Sequence, residues 1–123
     1  MMVKRKPTIL AKQISVSQAL LELKADADIL DFTGHFSHFP LLPGVSQIDW
    51  AIYYASKYLQ TPTSFKGLEV LKFKEPILPD GKVTLQLTWH SDKHKLSFQY
   101  YSEQDEVVTI HSSGKIKLGE SDE

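Results

Sequence analysis

The chain of 123 residues contains no cysteine. Disulfides, thiolate nucleophiles and cysteine-ligated zinc are therefore excluded, and the composition suits a reducing compartment. Long apolar runs are missing as well. The basic start, MMVKRKPTIL, is not followed by the hydrophobic segment of a signal peptide, and no stretch reads as a membrane-spanning helix. A cytoplasmic location without membrane insertion is the expectation. Nor does charge of one sign prevail: 14 basic and 15 acidic residues leave a formal net charge of −1. That balance removes the electrostatic basis for nucleic acid as a partner. Internal repeats and low-complexity tracts are also absent.

What is present fits an ordinary folded domain. The hydrophobic fraction is 41% and the charged fraction 24%, and the length suits one domain spanning residues 1–123. Residues 1–12 are expected to be a flexible or strand-adding arm, and residues 119–123 a frayed acidic tail. VSQALLELKA (16–25) alternates briefly around Glu22 and predicts a strand. VSQIDWAIYYASKYLQ (45–60) predicts the one long helix, with Val45, Ile48, Ile52, Ala55 and Leu59 as its apolar stripe. Trp50, Ala51, Tyr53 and Tyr54 lie outside that stripe, so the helix should be buried on several sides. Pro62 stops it, because proline lacks the N–H that a continuing helix needs.

The rest predicts an antiparallel meander of four strands. FKGLEVLKFKEPIL is followed by Pro79-Asp80-Gly81, a turn signal in which proline presets φ and glycine tolerates a positive one. KVTLQLTWH follows with Val83, Leu85, Leu87 and Trp89 on one face, then LSFQYY and VVTIHSSGKIKL. One helix cannot cover both faces of a flat five-stranded sheet. The expected class is α+β, a curved antiparallel sheet wrapped around one long central helix.

The chemistry concentrates in GHFSHFPLLPGVSQID (34–49), which crowds glycine, histidines, phenylalanines and prolines before the helix. Pro43-Gly44 stands at the helix entrance, where backbone N–H groups lack helical partners and favour an oxygen gaining negative charge. Asp49 lies beside the apolar stripe, where a carboxylate is expected to be partly desolvated. His35 follows the permissive Gly34 and titrates near neutrality. Base, acid and oxyanion donor are the parts needed to remove a proton beside a carbonyl and expel a leaving group. Each residue also has a plainer reading. A loop histidine is usually structural, Asp49 would serve as a local cap, and glycines before helices are common. His35, His38 and Asp49 make a poor zinc signature without a second ligand pair, so no metal is expected. His90 and His94 flank a polar turn and read as solvated; His111 falls in a strand.

The combination FTGHFSHFPLLPGVSQID resembles the signature of the hotdog-fold 3-hydroxyacyl-[acyl-carrier-protein] dehydratases. Gly34, His35, Phe36, Pro40, Pro43, Gly44 and Val45 match in place without a gap, and Asp49 falls where that family carries its acidic residue. LKFKEPILPDGKVTLQL (71–87) resembles a strand segment of the same family. Two departures stand out. Ser37 replaces the usual proline, and the acid is Asp, as in the branch that also isomerises the double bond. Asp49-Trp50-Ala51 is similar to the dehydratase-like proteins of aryl-polyene gene clusters.

The resemblance implies a hotdog fold and dehydration of a 3-hydroxyacyl thioester to a trans-2-enoyl thioester. It implies His35 and Asp49 as catalytic residues and Gly44 as donor to the thioester carbonyl, with Phe36, Pro43 and Val45 shaping the substrate entrance. It further implies no cofactor beyond the phosphopantetheine of the substrate, and acyl carrier protein as partner. The active site would combine His35 of one subunit with Asp49 of another, in a homodimer, a higher oligomer or a complex with a related chain. Two alternatives are a hotdog thioesterase and a non-catalytic acyl-binding partner subunit.

Overall fold

The computed structural model describes residues 4–33 and 40–119. Strands β1 (Thr8–Ile14) and β2 (Gln18–Ala25) come first, then a 3-10 turn at Leu30–Phe32 and helix α1 (Gly44–Leu59). Strands β3 (Ser64–Phe73), β4 (Gly81–His90), β5 (Lys95–Gln104) and β6 (Val107–Gly119) complete the chain. All six strands form one antiparallel sheet in the order β1-β2-β4-β5-β6-β3. This is the hotdog arrangement that the sequence predicts, with the helix packed on the sheet against β2 and β4.

Alternation sets the sheet's inner face. Leu21 and Leu23 on β2, Val83, Leu85 and Leu87 on β4, Leu96, Phe98 and Tyr100 on β5, and Ile116 and Leu118 on β6 are all buried. A period of two puts every second residue on the helix side. Fully burying one such side chain stabilises the fold by roughly 1.5–3 kcal/mol relative to leaving it exposed. Trp89, expected on this face, is half-buried at its margin.

Of the two readings of the arm, flexible or strand-adding, the structure corrects the first and bears out the second: it supplies β1, which pairs with β2 from Thr8↔Lys24 to Ile14↔Ala19. It is tied down further by Lys4 and Thr8 on Asp26, by Arg5 on Asp31, and by the Trp50 indole, which donates to the Arg5 carbonyl at 3.0 Å. β3 does not open a four-strand meander. It pairs with β6 at the far edge, and the connection 74–80 carries the chain across to β4, beside β2. Pro76 and Pro79 leave two positions of that connection without an N–H donor.

The inward face of α1 also differs. Gln47, Trp50, Ala51, Tyr54, Ala55 and Leu59 are buried, whereas Val45 is 79% exposed and Ile48 and Ile52 sit on the flank. The stripe is rotated because α1 is apolar around most of its circumference and its true core face begins with two polar residues, Ser46 and Gln47. The turn at Pro79-Asp80-Gly81 forms as expected, closed by the Gly81 N–H on the Leu78 carbonyl, with Asp80 at a φ of 62°. Gly81 serves close approach, since a Cβ there would meet the Leu78 carbonyl oxygen at 2.9 Å. The helix ends at Leu59, shortly before Pro62 as expected, with its C-cap Gln60 in the left-handed region.

Candidate active site

Helix α1 opens at Pro43 and Gly44 with no side-chain cap and no acidic residue in its first turn. The N–H groups of this turn lack intrahelical acceptors and carry the positive end of the helix dipole. Beside them lies an apolar groove of about 580 Å³, walled by Leu41, Leu42, Val45, Ile48, Leu68 and Leu71. Gly44 and Phe73 also line it. A Cβ on Gly44 would come within 2.6 Å of the Phe73 ring, so the missing side chain is what lets the ring lie over the helix entrance. Lys74, Glu75 and Pro76 border the groove.

The expected site residues are placed unequally. Gly44 and Val45 line the groove, and half-buried Pro43 precedes them. Asp49 stands one turn further along α1, but it is not desolvated as expected. Its side chain is 67% exposed and 3.5 Å from the Lys6 ammonium. It follows Val45 and precedes Tyr53 at intervals of four residues, and both of those are exposed too. This is the face of the helix turned away from the sheet. His35 and Phe36, like His38, lie outside the described residues.

Three contributors escaped the sequence reading. Gln47 is 3% exposed in the groove wall, with both ends of its amide hydrogen-bonded. Phe73 covers the helix entrance from β3. Asp31, with its side chain 8% exposed, takes Arg5 Nε at 2.6 Å on one oxygen and the Ser46 hydroxyl on the other. It thereby fastens the arm to the first turn of α1, where the dipole favours a carboxylate. No motif announces these roles, although a glutamine on the core side of a helix is the kind of buried polar group that asks for partners.

Three other titratable side chains have structural settings. Burial pushes the Tyr54 and Tyr100 phenols up, so both stay neutral. His111 bridges Ser102 Oγ (2.9 Å) and the Glu75 carbonyl (3.2 Å), tying the 74–80 connection to β5 and β6. Among the described residues, no helix is long and apolar enough to cross a membrane.

Fold and helix entrance together define a hotdog domain of the dehydratase type. Residues 11–115 match the family model described as ApeI-like, ApeI dehydratase, and the chain belongs to that family. It is 38% identical to a chain of the dehydratase heterocomplex ApeI:P from Xenorhabdus doucetiae, covering 91% of this chain and 96% of that one, with a TM-score of 0.80. An uncharacterised protein from Erwinia carotovora subsp. atroseptica superposes with a TM-score of 0.84 at 40% identity, over 93% of this chain and 96% of that one. The 3-hydroxyacyl-[acyl-carrier-protein] dehydratase FabZ of Nitrosospira multiformis is 35% identical over 68 residues. That match spans 46% of this chain and 46% of the relative's length.

Proposed function

We propose that this protein removes water from a 3-hydroxyacyl thioester carried on acyl carrier protein, giving the trans-2-enoyl thioester. The observation that carries the reading is the uncapped entrance of α1 at Gly44, opening on an apolar groove with Asp49 one turn along the same helix. The groove suits an acyl chain. The Gly44 N–H suits the thioester oxygen, whose negative charge grows as the C2 proton leaves. His35 takes that proton, and the C2–H electron pair becomes the second C2–C3 bond. The C3–O bond breaks, and Asp49 delivers the proton with which the hydroxyl departs as water. The general acid and base contribute about 10²–10⁴-fold each. The reaction requires no electron transfer, and phosphopantetheine belongs to the carrier. The absence of cysteine fits work in the cytoplasm.

Exposure of Asp49 in the single chain supports a site completed by a second hotdog subunit, with His35 of one chain serving Asp49 of the other. That second chain is either another copy or a related subunit, and the likeness to the ApeI:P heterocomplex favours keeping the latter arrangement in the test. Phe36, Pro43 and Val45 would shape the entrance to the shared site.

His35→Ala and Asp49→Asn should each lower dehydration at least about 100-fold while the assembly stays intact by sedimentation. Mixing the two variants after subunit exchange should restore part of the activity. Full activity in either variant would overturn the assignment. Release of free thiol would show a thioesterase, and turnover that appears only on adding a related chain would show an obligate hetero-oligomer.

A further inference from the structure

Gln47 sits in the wall of the groove as an amide among mostly apolar neighbours. Its Nε2 donates to the Leu42 carbonyl at 3.1 Å, and its Oε1 accepts from the Ser112 hydroxyl at 2.6 Å. Its backbone N–H donates to the Pro43 carbonyl at 3.2 Å, and its own carbonyl accepts from the Tyr100 hydroxyl at 2.7 Å. On the other side, the Leu42 N–H donates to the Ile77 carbonyl at 2.8 Å. The Leu42–Pro43 segment is therefore gripped from the helix and from the 74–80 connection at once. A buried amide is costly unless both ends are paired, and an apolar side chain would fill the same volume at less risk to stability. What Gln47 supplies that leucine or methionine would not is a fixed position for the Leu42 carbonyl, two residues before Gly44. The Leu42 carbonyl can only accept and so takes Nε2, while the hydroxyl of Ser112, fully buried on β6, donates to Oε1 and holds the other end of the amide.

We infer that Gln47, oriented by Ser112, is a positioning residue that fixes Leu42-Pro43-Gly44 so that the Gly44 N–H stays aimed at the substrate carbonyl. The inference rests on the dehydratase reading for its catalytic consequence, but the fixing of the segment is observable without turnover. Oxyanion donors work by being held in place before charge develops, and a displacement near 1 Å costs about 100-fold.

The test uses Gln47→Met, which keeps length and removes both side-chain hydrogen bonds, and Ser112→Ala, which removes only the orienting hydroxyl. Amide exchange at Leu42 is read by NMR against core amides of β4 and β5. In Gln47→Met, Leu42 exchange should accelerate at least about tenfold relative to those amides, with a smaller effect in Ser112→Ala. On a 3-hydroxybutyryl carrier-protein thioester, kcat should fall about 10- to 100-fold with KM within about threefold. Should Gln47→Met fail to fold, Ser112→Ala decides alone. Unchanged Leu42 exchange overturns the inference, as does faster exchange with an unaltered kcat. A wild-type protein without turnover whose Leu42 nevertheless loosens in the variants retains the positioning role and removes the dehydratase reading instead.

Discussion

At one edge of the sheet β1 exposes Thr8, Ala11, Lys12 and Gln13, with Leu10 and Ile14 as scattered apolar residues; at the other, β3 exposes Phe65, Leu68, Val70 and Phe73. Both edges are interrupted, β1 by a register shift between Ile9 and Ala11, β3 by two shifts that place Val70 at a φ of 50°. Bulges and lysines discourage further strand addition at an edge. Only at β3 is this accompanied by a run of large apolar side chains that continues into the groove through Leu68, Leu71 and Phe73. A surface of that kind marks an interaction site. The β1 edge is finished within one chain, whereas the β3 edge, next to the helix entrance, is the side on which the proposed second subunit would complete the site.

The largest effect is expected from breaking that asymmetry. Phe65→Lys/Val70→Lys changes two exposed β3 residues outside the groove lining, so a loss of activity would report assembly and not groove shape. Burying four added charges across a two-fold interface should weaken self-association at least about 100-fold and take dehydration with it. The matched change at the other edge, Leu10→Lys/Ile14→Lys, should leave both the sedimentation coefficient and the rate as they are. If the β3 variant stays assembled and active, the second chain sits elsewhere.

The two edges also differ in how far they could be read from residues alone. Helix α1 was legible at both ends because Pro43-Gly44 and Pro62 act locally, through missing N–H groups and restricted φ. Strands β4, β5 and β6 were legible because the period of two is strict there. The placement of β3 beyond β6 was not, since strand order depends on where the 74–80 connection crosses the sheet, and hydrophobic period carries no such information. The buried face of α1 was misread for a related reason. With apolar residues on most of the circumference, what selects the inward face is the hydrogen-bonding of Ser46 and Gln47 to Asp31, Leu42 and Ser112, partners 5 to 65 residues away. Gly44 and Asp49 are candidate site residues by their motif alone, and the exposure of Asp49 follows from that same rotation of the helix.

A smaller effect should sharpen the account of the β1 edge. Asp26 accepts from the Thr8 N–H (3.0 Å), the Thr8 hydroxyl (2.6 Å) and the Lys4 ammonium (3.0 Å). Burial works to raise its pKa, yet these hydrogen bonds and the Lys4 charge outweigh it and hold the carboxyl below its ordinary 3.8. A depressed folded-state value means that the stabilisation is fully present above the unfolded value. It is lost as pH falls through the folded one. Asp26→Ala should therefore cost about 1–2 kcal/mol at pH 7, and the gap to wild type should close below pH 3.8. A gap that stays constant through denaturant melts down to pH 2 would show that the carboxylate is not what anchors the arm.

The smallest effect on stability is expected at the point where the arm meets the candidate site. Lys6 lies 3.5 Å from Asp49 and 4.7 Å from the Tyr53 ring centroid, with its side chain 34% exposed. Exposed pairs of this kind contribute about 0–1 kcal/mol, because solvent screens the attraction and ordering two side chains costs entropy. Lys6→Ala should thus leave thermal stability nearly unchanged. A melting temperature lowered by more than about 4 °C in Lys6→Ala would show that the contacts with Asp49 and Tyr53 hold the arm more tightly than an exposed pair can.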